Sequence, residues 1–196
     1  ARSARLAAAD SDRPLHWRQV AQYSGMNALM LGILHETLIR WVDSPTRVLA
    51  QTHTFITERD DPRTGEQGAV ETPDSARVLT ESANGSRGLY HLSGALRFGP
   101  GCRIDLFGSE GTLKYELAPE DRLLGARKGK DRLEELFIAP RKQRDWRVEA
   151  DFVEAIRGGT PIELTDFATG VRYMEFTEAV ARSARLAAAV ALPLDA

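Results

Sequence analysis

A single cysteine, Cys102, is all the thiol chemistry in the 196 residues, which excludes an internal disulfide framework and fits a reducing compartment, the cytoplasm. It follows a Gly-Pro-Gly turn with no histidine near it in sequence, so it reads as a packed or idle thiol, not a nucleophile. No apolar run approaches the roughly 20 residues that span a bilayer, so a soluble protein is expected. Positive charge is not in excess either. With 26 basic against 28 acidic residues and the two signs interleaved, the formal charge is −2, and no basic face exists to neutralise a nucleic-acid backbone. His16, His35, His53 and His91 never fall at metal-ligand spacing, so no metal is expected. Gly99, Gly101 and Gly108 do not form G-x-G-x-x-G, and no G-x-x-x-x-G-K-[ST] occurs, so the chain lacks a nucleotide pocket of its own. Ser93 and Ser109 lack a nucleophile-elbow context, and Asp60-Asp61 and Glu134-Glu135 lie in polar surroundings that keep them solvated.

What is present is an ordinary globular balance, 42% hydrophobic and 28% charged, in a length that suits one domain with a core. The first nine residues, A-R-S-A-R-L-A-A-A, recur letter for letter at Ala181 to Ala189, while the flanks do not repeat. That pattern is no solenoid period. It reads as an added segment, an assembly artefact or a local duplication, so residues 1–13 are treated as a tail and 14–196 as the domain.

The stretch the rest is organised around is Ser24 to Trp41, S-G-M-N-A-L-M-L-G-I-L-H-E-T-L-I-R-W. At 100° per residue Met26, Met30, Ile33, Leu34, Leu38 and Trp41 fall on overlapping arcs, and Leu29, Leu31 and Ile39 extend the apolar surface around most of the circumference. The spacing predicts one continuous buried helix. A single arc differs: Ala28 and Gly32 lie one turn apart, His35 and Glu36 follow at the next turn, and Asn27 stands at the margin. Short side chains beside polar ones suit a ligand wall; they equally suit a neighbouring helix with a satisfied core histidine. Trp17, Arg18 and Gln19 enter this helix from a proline-led arm, near the start of the candidate site, and Trp17 fits either a ligand contact or an anchor for the arm.

After Asp43-Ser44-Pro45 stops the helix, the period changes. Arg47 to Glu58 reads as a strand, Asp60 to Pro73 as a loop, Ala76 to Ala83 as a strand, and Asn84-Gly85 as a hairpin turn in which both residues accept positive φ. Leu89 to Phe98 alternates, with Tyr90, Leu92, Leu96 and Phe98 on a buried face and His91, Ser93 and Arg97 on a wetter one. Arg103 to Phe107 turns through Gly108 to Gly111 into Thr112 to Leu117, and weaker strands follow around Leu123 and Leu136. Helical period returns with the stripe Val148, Phe152, Ala155 and Ile156, stopped at Gly158-Gly159. Thr165 or Asp166 then caps a helix running to about Val190, with Gly170, Thr177, Ala181, Ala184 and Ala188 as a seam of small residues. The order predicts an α+β fold: an open, mostly antiparallel sheet with helices packed on one face.

Five separated segments together resemble the carboxy-terminal domain of the Gfo/Idh/MocA oxidoreductases: W-R-Q at 17–19; S-G-M-N-A-L-M-L-G-I-L-H-E at 24–36 with R-W-V following; I-D-L-F-G-S-E-G-T-L at 104–113; V-E-A-D-F-V-E-A-I-R-G-G at 148–159; and T-D-F-A-T-G-V-R-Y-M-E-F-T-E-A-V at 165–180. The resemblance implies a second domain that contacts substrate and oligomerises through the open face of its sheet, while NAD or NADP sits on a preceding Rossmann domain. Neither that domain's Gly-rich loop nor its Glu-Lys-Pro motif is found here, and none of Lys114, Lys128, Lys130 and Lys142 matches the usual catalytic lysine. The family pattern D-x-x-x-H supplies a proton-relay pair; His35 matches its histidine, but Leu31 stands at the aspartate.

The resemblance therefore implies the substrate-binding and oligomerisation half of an NAD(P)-dependent oxidoreductase acting on a sugar, polyol or related hydroxy compound, inert by itself and without a cofactor of its own. His35 is its candidate acid or base, and Trp17, Arg18, Asn27 and Glu36 are its candidate substrate contacts. The alternative, motivated by Leu31, is a non-enzymatic binding or scaffolding module that has lost the chemistry. The expected partners are a small-molecule substrate, the missing Rossmann domain and a second copy of the chain through the face of His91, Ser93 and Arg97.

Overall fold

The computed structural model describes residues 13–96, 98–118, 121–143, 147–159, 161, 162, 164 and 166–195. Along the chain run a 3-10 turn (Trp17–Gln19), α1 (Ala21–Ser24), a second 3-10 turn (Ala28–Met30), α2 (Leu31–Leu38), β1 (Pro45–His53), β2 (Glu58–Asp60), β3 (Gln67–Ala69), β4 (Ser75–Ser82), β5 (Arg87–Ser93), β6 (Cys102–Gly108), β7 (Gly111–Ala118), β8 (Arg122–Arg127), β9 (Glu134–Glu135), a third 3-10 turn (Pro140–Lys142), α3 (Val148–Ile156), α4 (Phe167–Leu186) and β10 (Val190–Ala191). The fold is α+β with antiparallel pairing in every described sheet. These residues fall into two compact units, one within 8–96 and 151–196, the other within 97–150.

In the larger unit the strands order as β10-β1-β4-β5. Alternation along them sends Val48, Ala50, Val78, Tyr90 and Leu92 to one face, where they meet Leu31 of α2 and Phe176, Ala179 and Val180 of α4. Burying side chains such as Val78 and Phe176, both 0% exposed, stabilises by about 1.5–3 kcal/mol each. Small residues on α4 bring it close to the sheet. There the Ser183 hydroxyl accepts from the Ala50 amide at 2.9 Å and donates to the Ala188 carbonyl at 2.6 Å. On the opposite face Leu49, Leu79 and Leu89 lie directly across from one another in register and remain 43%, 54% and 69% exposed. The smaller unit is the sheet β6-β7-β8-β9, whose first hairpin turns at Gly111; a Cβ there would fall 2.3 Å from the Ala126 carbonyl oxygen.

Several elements depart from the sequence expectation. The stretch Ser24 to Trp41 is broken, with α2 only eight residues long, because Gly25, Leu29 and Met30 take positive φ (56°, 55°, 62°). It is also not buried on every side, and of the two readings of the small-residue arc the structure shows a neighbouring helix against it. Ala28, Leu31, Gly32, His35 and Glu36 are inside, while Met26, Ile33 and Trp41 are 39%, 49% and 48% exposed, since α4 packs on the small-residue arc. β1 ends at His53, five residues early, where the Asp74 carboxylate takes the Phe55 and Ile56 amides out of the ladder. The expected loop 60–73 contains the β2–β3 hairpin. β5 stops at Ser93, so Leu96 and Phe98 do not reach the core; Phe98 is wholly exposed with φ 58°. At the β4–β5 turn only Gly85 takes positive φ, and the Asn84 side chain instead accepts from the Ser86 amide. Asp166 caps α4 by accepting from the Thr169 amide at 2.7 Å, but the helix ends at Leu186, before a left-handed Ala187, and Val190 and Ala191 join the sheet. The buried line on α4 is Phe176, Thr177, Ala179, Val180 and Ser183; of the expected seam Thr177 is among them and Ala184 packs half-buried against the core. The α3 stripe forms as expected but has no buried residue. The tail over 1–12, Arg97 and the alternative cap Thr165 lie outside the described residues.

Candidate functional site

Asn27 reaches over the start of α2. The Asn27 side-chain oxygen accepts from the Gly32 amide at 2.9 Å, one of the donors that a helix N-terminus leaves without a partner. Gly32 leaves room for that approach, since a Cβ there would stand 3.0 Å from the Asn27 amide nitrogen and push the side chain aside. The helix then presents Leu31 and His35, one turn apart and each 2% exposed, to α4 and the sheet.

The His35 ring lies flat on Phe176, with centroids 3.6 Å apart and planes 9° from parallel. Its Nδ1 is 2.8 Å from the Tyr90 hydroxyl on β5. Tyr90 itself leans on Phe176 at 5.4 Å. Burial disfavours the charged ring and lowers the His35 pKa from 6.5 to about 4, so the imidazole is neutral at physiological pH. Burial likewise pushes the Tyr90 hydroxyl up, and it stays protonated. Two neutral, mutually hydrogen-bonded groups thus sit against an aromatic floor. Among the described residues Nε2 of His35 has no hydrogen-bond partner.

The other sequence-predicted residues divide. Glu36, 6% exposed, is on the same helix and binds Arg40 through Oε1, an i,i+4 ion pair. Asn27 joins the group through Gly32. Trp17 and Arg18 stand elsewhere: no hydrogen bond or ring contact among the described residues links them to His35. The Trp17 indole is 50% exposed, with the Arg18 guanidinium 4.1 Å from its ring centroid. This arm is held by the His16 cap, by the Thr72 hydroxyl on the Arg18 carbonyl and by Glu71 on the Ala21 amide. Tyr90 and Phe176 were not among the expected site residues. Alternation along β5 marks Tyr90 as inward, and a buried tyrosine hydroxyl needs a partner; Phe176 carries no signal beyond its place on an amphipathic helix. Among the described residues no cluster of potential metal ligands occurs and no helix is long and apolar enough to cross a membrane.

No curated protein sequence matches the chain. Among solved structures, levoglucosan dehydrogenase in complex with NADH and L-sorbose is 24% identical, with a TM-score of 0.79 over 94% of this chain and 56% of that one. An NAD binding oxidoreductase from Klebsiella pneumoniae is 19% identical, with a TM-score of 0.78 over 95% of this chain and 56% of that one. The super-repressor mutant of Gal80p from Saccharomyces cerevisiae is 14% identical, with a TM-score of 0.69 over 94% and 55%. At these identities the likeness shows the fold alone, and the chain spans little more than half the length of each structure. The family model described as the GFO/IDH/MocA C-terminal domain matches residues 1–114, and the chain belongs to that family.

Proposed function

We propose that the chain is the substrate-binding and self-associating half of an NAD(P)-dependent oxidoreductase acting on a sugar, polyol or related hydroxy compound, with the nicotinamide held on a Rossmann domain outside these 196 residues. The observation that carries this reading is the neutral His35, enclosed on Phe176 and Tyr90 with one ring nitrogen left unpartnered. Family membership, and neighbours whose titles name NADH with L-sorbose or NAD binding, support it. In this role His35 is the catalytic group that meets a substrate oxygen. Asn27 keeps its amide NH2 and Glu36 its Oε2 for substrate hydroxyls, and the Trp17–Arg18 pair offers an indole to the apolar face of a sugar. The leucine row Leu49-Leu79-Leu89 supports a second copy as partner. It is flanked in register by Arg47-Glu81-Arg87 and Gln51-Arg77-His91, rows whose mixed charge suits a self-complementary face. The proposed interface is then the sheet face of His91, centred on leucines, while Ser93 is half-buried and its hydroxyl accepts from the Ala95 amide.

The test is nicotinamide reduction by the polypeptide that joins this chain to a Rossmann domain, against a panel of hexoses and polyols with NAD and NADP. Turnover of at least one supports the proposal; inertness toward all of them contradicts it. Calorimetry of the 196-residue chain with NAD and with NADP is expected to show no binding, and micromolar binding would overturn the assignment of the cofactor to another domain. A second reading, a non-enzymatic binding module, draws on Leu31 at the relay position and on the fold shared with Gal80p. Sugar binding without turnover would favour it.

A further inference from the structure

We propose that Tyr90 is a positioning residue for His35, its hydroxyl donating to Nδ1 and holding the imidazole as the Nε2–H tautomer. The inference rests on the reading above only for what the ring is used for; the tautomer itself is a property of this chain. Leu31, one turn before His35 and 2% exposed in the core, has no polar atom with which to orient the ring. The orienting group comes instead from the sheet, 55 positions along the chain, at 2.8 Å.

The strengths of donor and acceptor choose between the two tautomers. His35 is the one hydrogen-bond partner of Tyr90 among the described residues, so either arrangement makes one bond and leaves one donor and one acceptor unmade. The phenolic O–H, on a group whose ordinary pKa is about 10, is a stronger donor than the N–H of a neutral imidazole, and the bare ring nitrogen is a stronger acceptor than a phenol oxygen. The O–H···Nδ1 bond is therefore the stronger of the two, and it leaves the ring proton on Nε2. The bond at one ring nitrogen sets the state of the other. Stacking on Phe176 fixes the ring plane, and the Tyr90 bond fixes which edge faces it.

The consequence for chemistry is specific. A neutral ring with its proton on Nε2 is a hydrogen-bond donor and cannot accept a proton at that nitrogen. It therefore recognises an oxygen with lone pairs, above all a carbonyl, the oxidised form of a sugar or polyol, and polarises it toward hydride addition. Removal of a proton from the alcohol form falls to another group.

Histidine ring 15N–1H correlation spectra of the 196-residue chain, with His35 assigned by its absence in His35→Asn, test this directly. Wild type is expected to show one tautomer, with the proton on Nε2, at neutral pH. In Tyr90→Phe, which keeps the ring and removes the hydroxyl, the Nδ1–H form is expected to appear beside it. A wild-type ring protonated on Nδ1, or an unchanged tautomer in Tyr90→Phe, would overturn the proposal. If Tyr90→Phe does not fold, the wild-type spectrum alone still decides. These spectra are independent of turnover, so an inert oxidoreductase would remove the function proposed above and leave the tautomer assignment standing.

Discussion

At the scale of single residues the energetics concentrate where polar atoms are buried. His35 has a folded-state pKa of about 4 against an ordinary 6.5, so below pH 6.5 the unfolded chain binds a proton that the folded chain refuses. The stability held by the neutral ring is complete above pH 6.5 and is lost as the pH falls from 6.5 to 4, by an amount on the order of 3 kcal/mol. Urea unfolding followed between pH 7 and pH 4 is expected to show this slope in wild type and a flatter one in His35→Gln. Equal slopes would mean that the ring is solvated. Ser183 gives a second prediction. With the hydroxyl removed in Ser183→Ala, the Ala50 amide and the Ala188 carbonyl lose their partner inside the protein. The expected cost is about 1–3 kcal/mol in the same experiment, and a change of less than about 0.5 kcal/mol would show that these groups find other partners.

At the scale of elements, the break before α2 is the feature with the sharpest test. Leu29 and Met30 are strong helix formers held at φ 55° and 62°, conformations that cost a side-chain-bearing residue about 1–2 kcal/mol each. Leu29→Gly or Met30→Gly is therefore expected to leave thermal stability unchanged or raised, against the loss of about 1 kcal/mol that glycine causes inside a regular helix. A lowered melting temperature in both variants would contradict the left-handed backbone. No local pattern announces this break, because A-L-M-L reads as helix in any window. Nor does the sequence say which arc of an almost wholly apolar stretch is inside, a choice made by α4 from 140 positions away. The strands were more legible. Alternation along the strand separated inward Tyr90 and Leu92 from outward His91, and the glycines at 108 and 111 marked the β6–β7 turn, because period and turn chemistry are local. Of the candidate site, His35 and the departure at Leu31 come from the family resemblance, whereas the Tyr90 and Phe176 contacts depend on packing between distant segments.

At the scale of the whole molecule, the outer face of the β10-β1-β4-β5 sheet presents three aligned leucines to solvent. This is the face that the proposed self-association would use. Sedimentation velocity is expected to show self-association that Leu79→Arg abolishes without loss of fold; a monomeric wild type at high concentration would remove the second copy from the account. In the proposed function the enclosed ring on α2 serves the substrate and this leucine face, on the other side of the sheet, serves a partner. The most direct test of the account is the turnover of His35→Phe in the polypeptide that carries both halves. Phenylalanine keeps the stack on Phe176 and removes both ring nitrogens. A fall in kcat of about a hundredfold or more is the predicted result; undiminished turnover would show that the imidazole takes no part in the reaction.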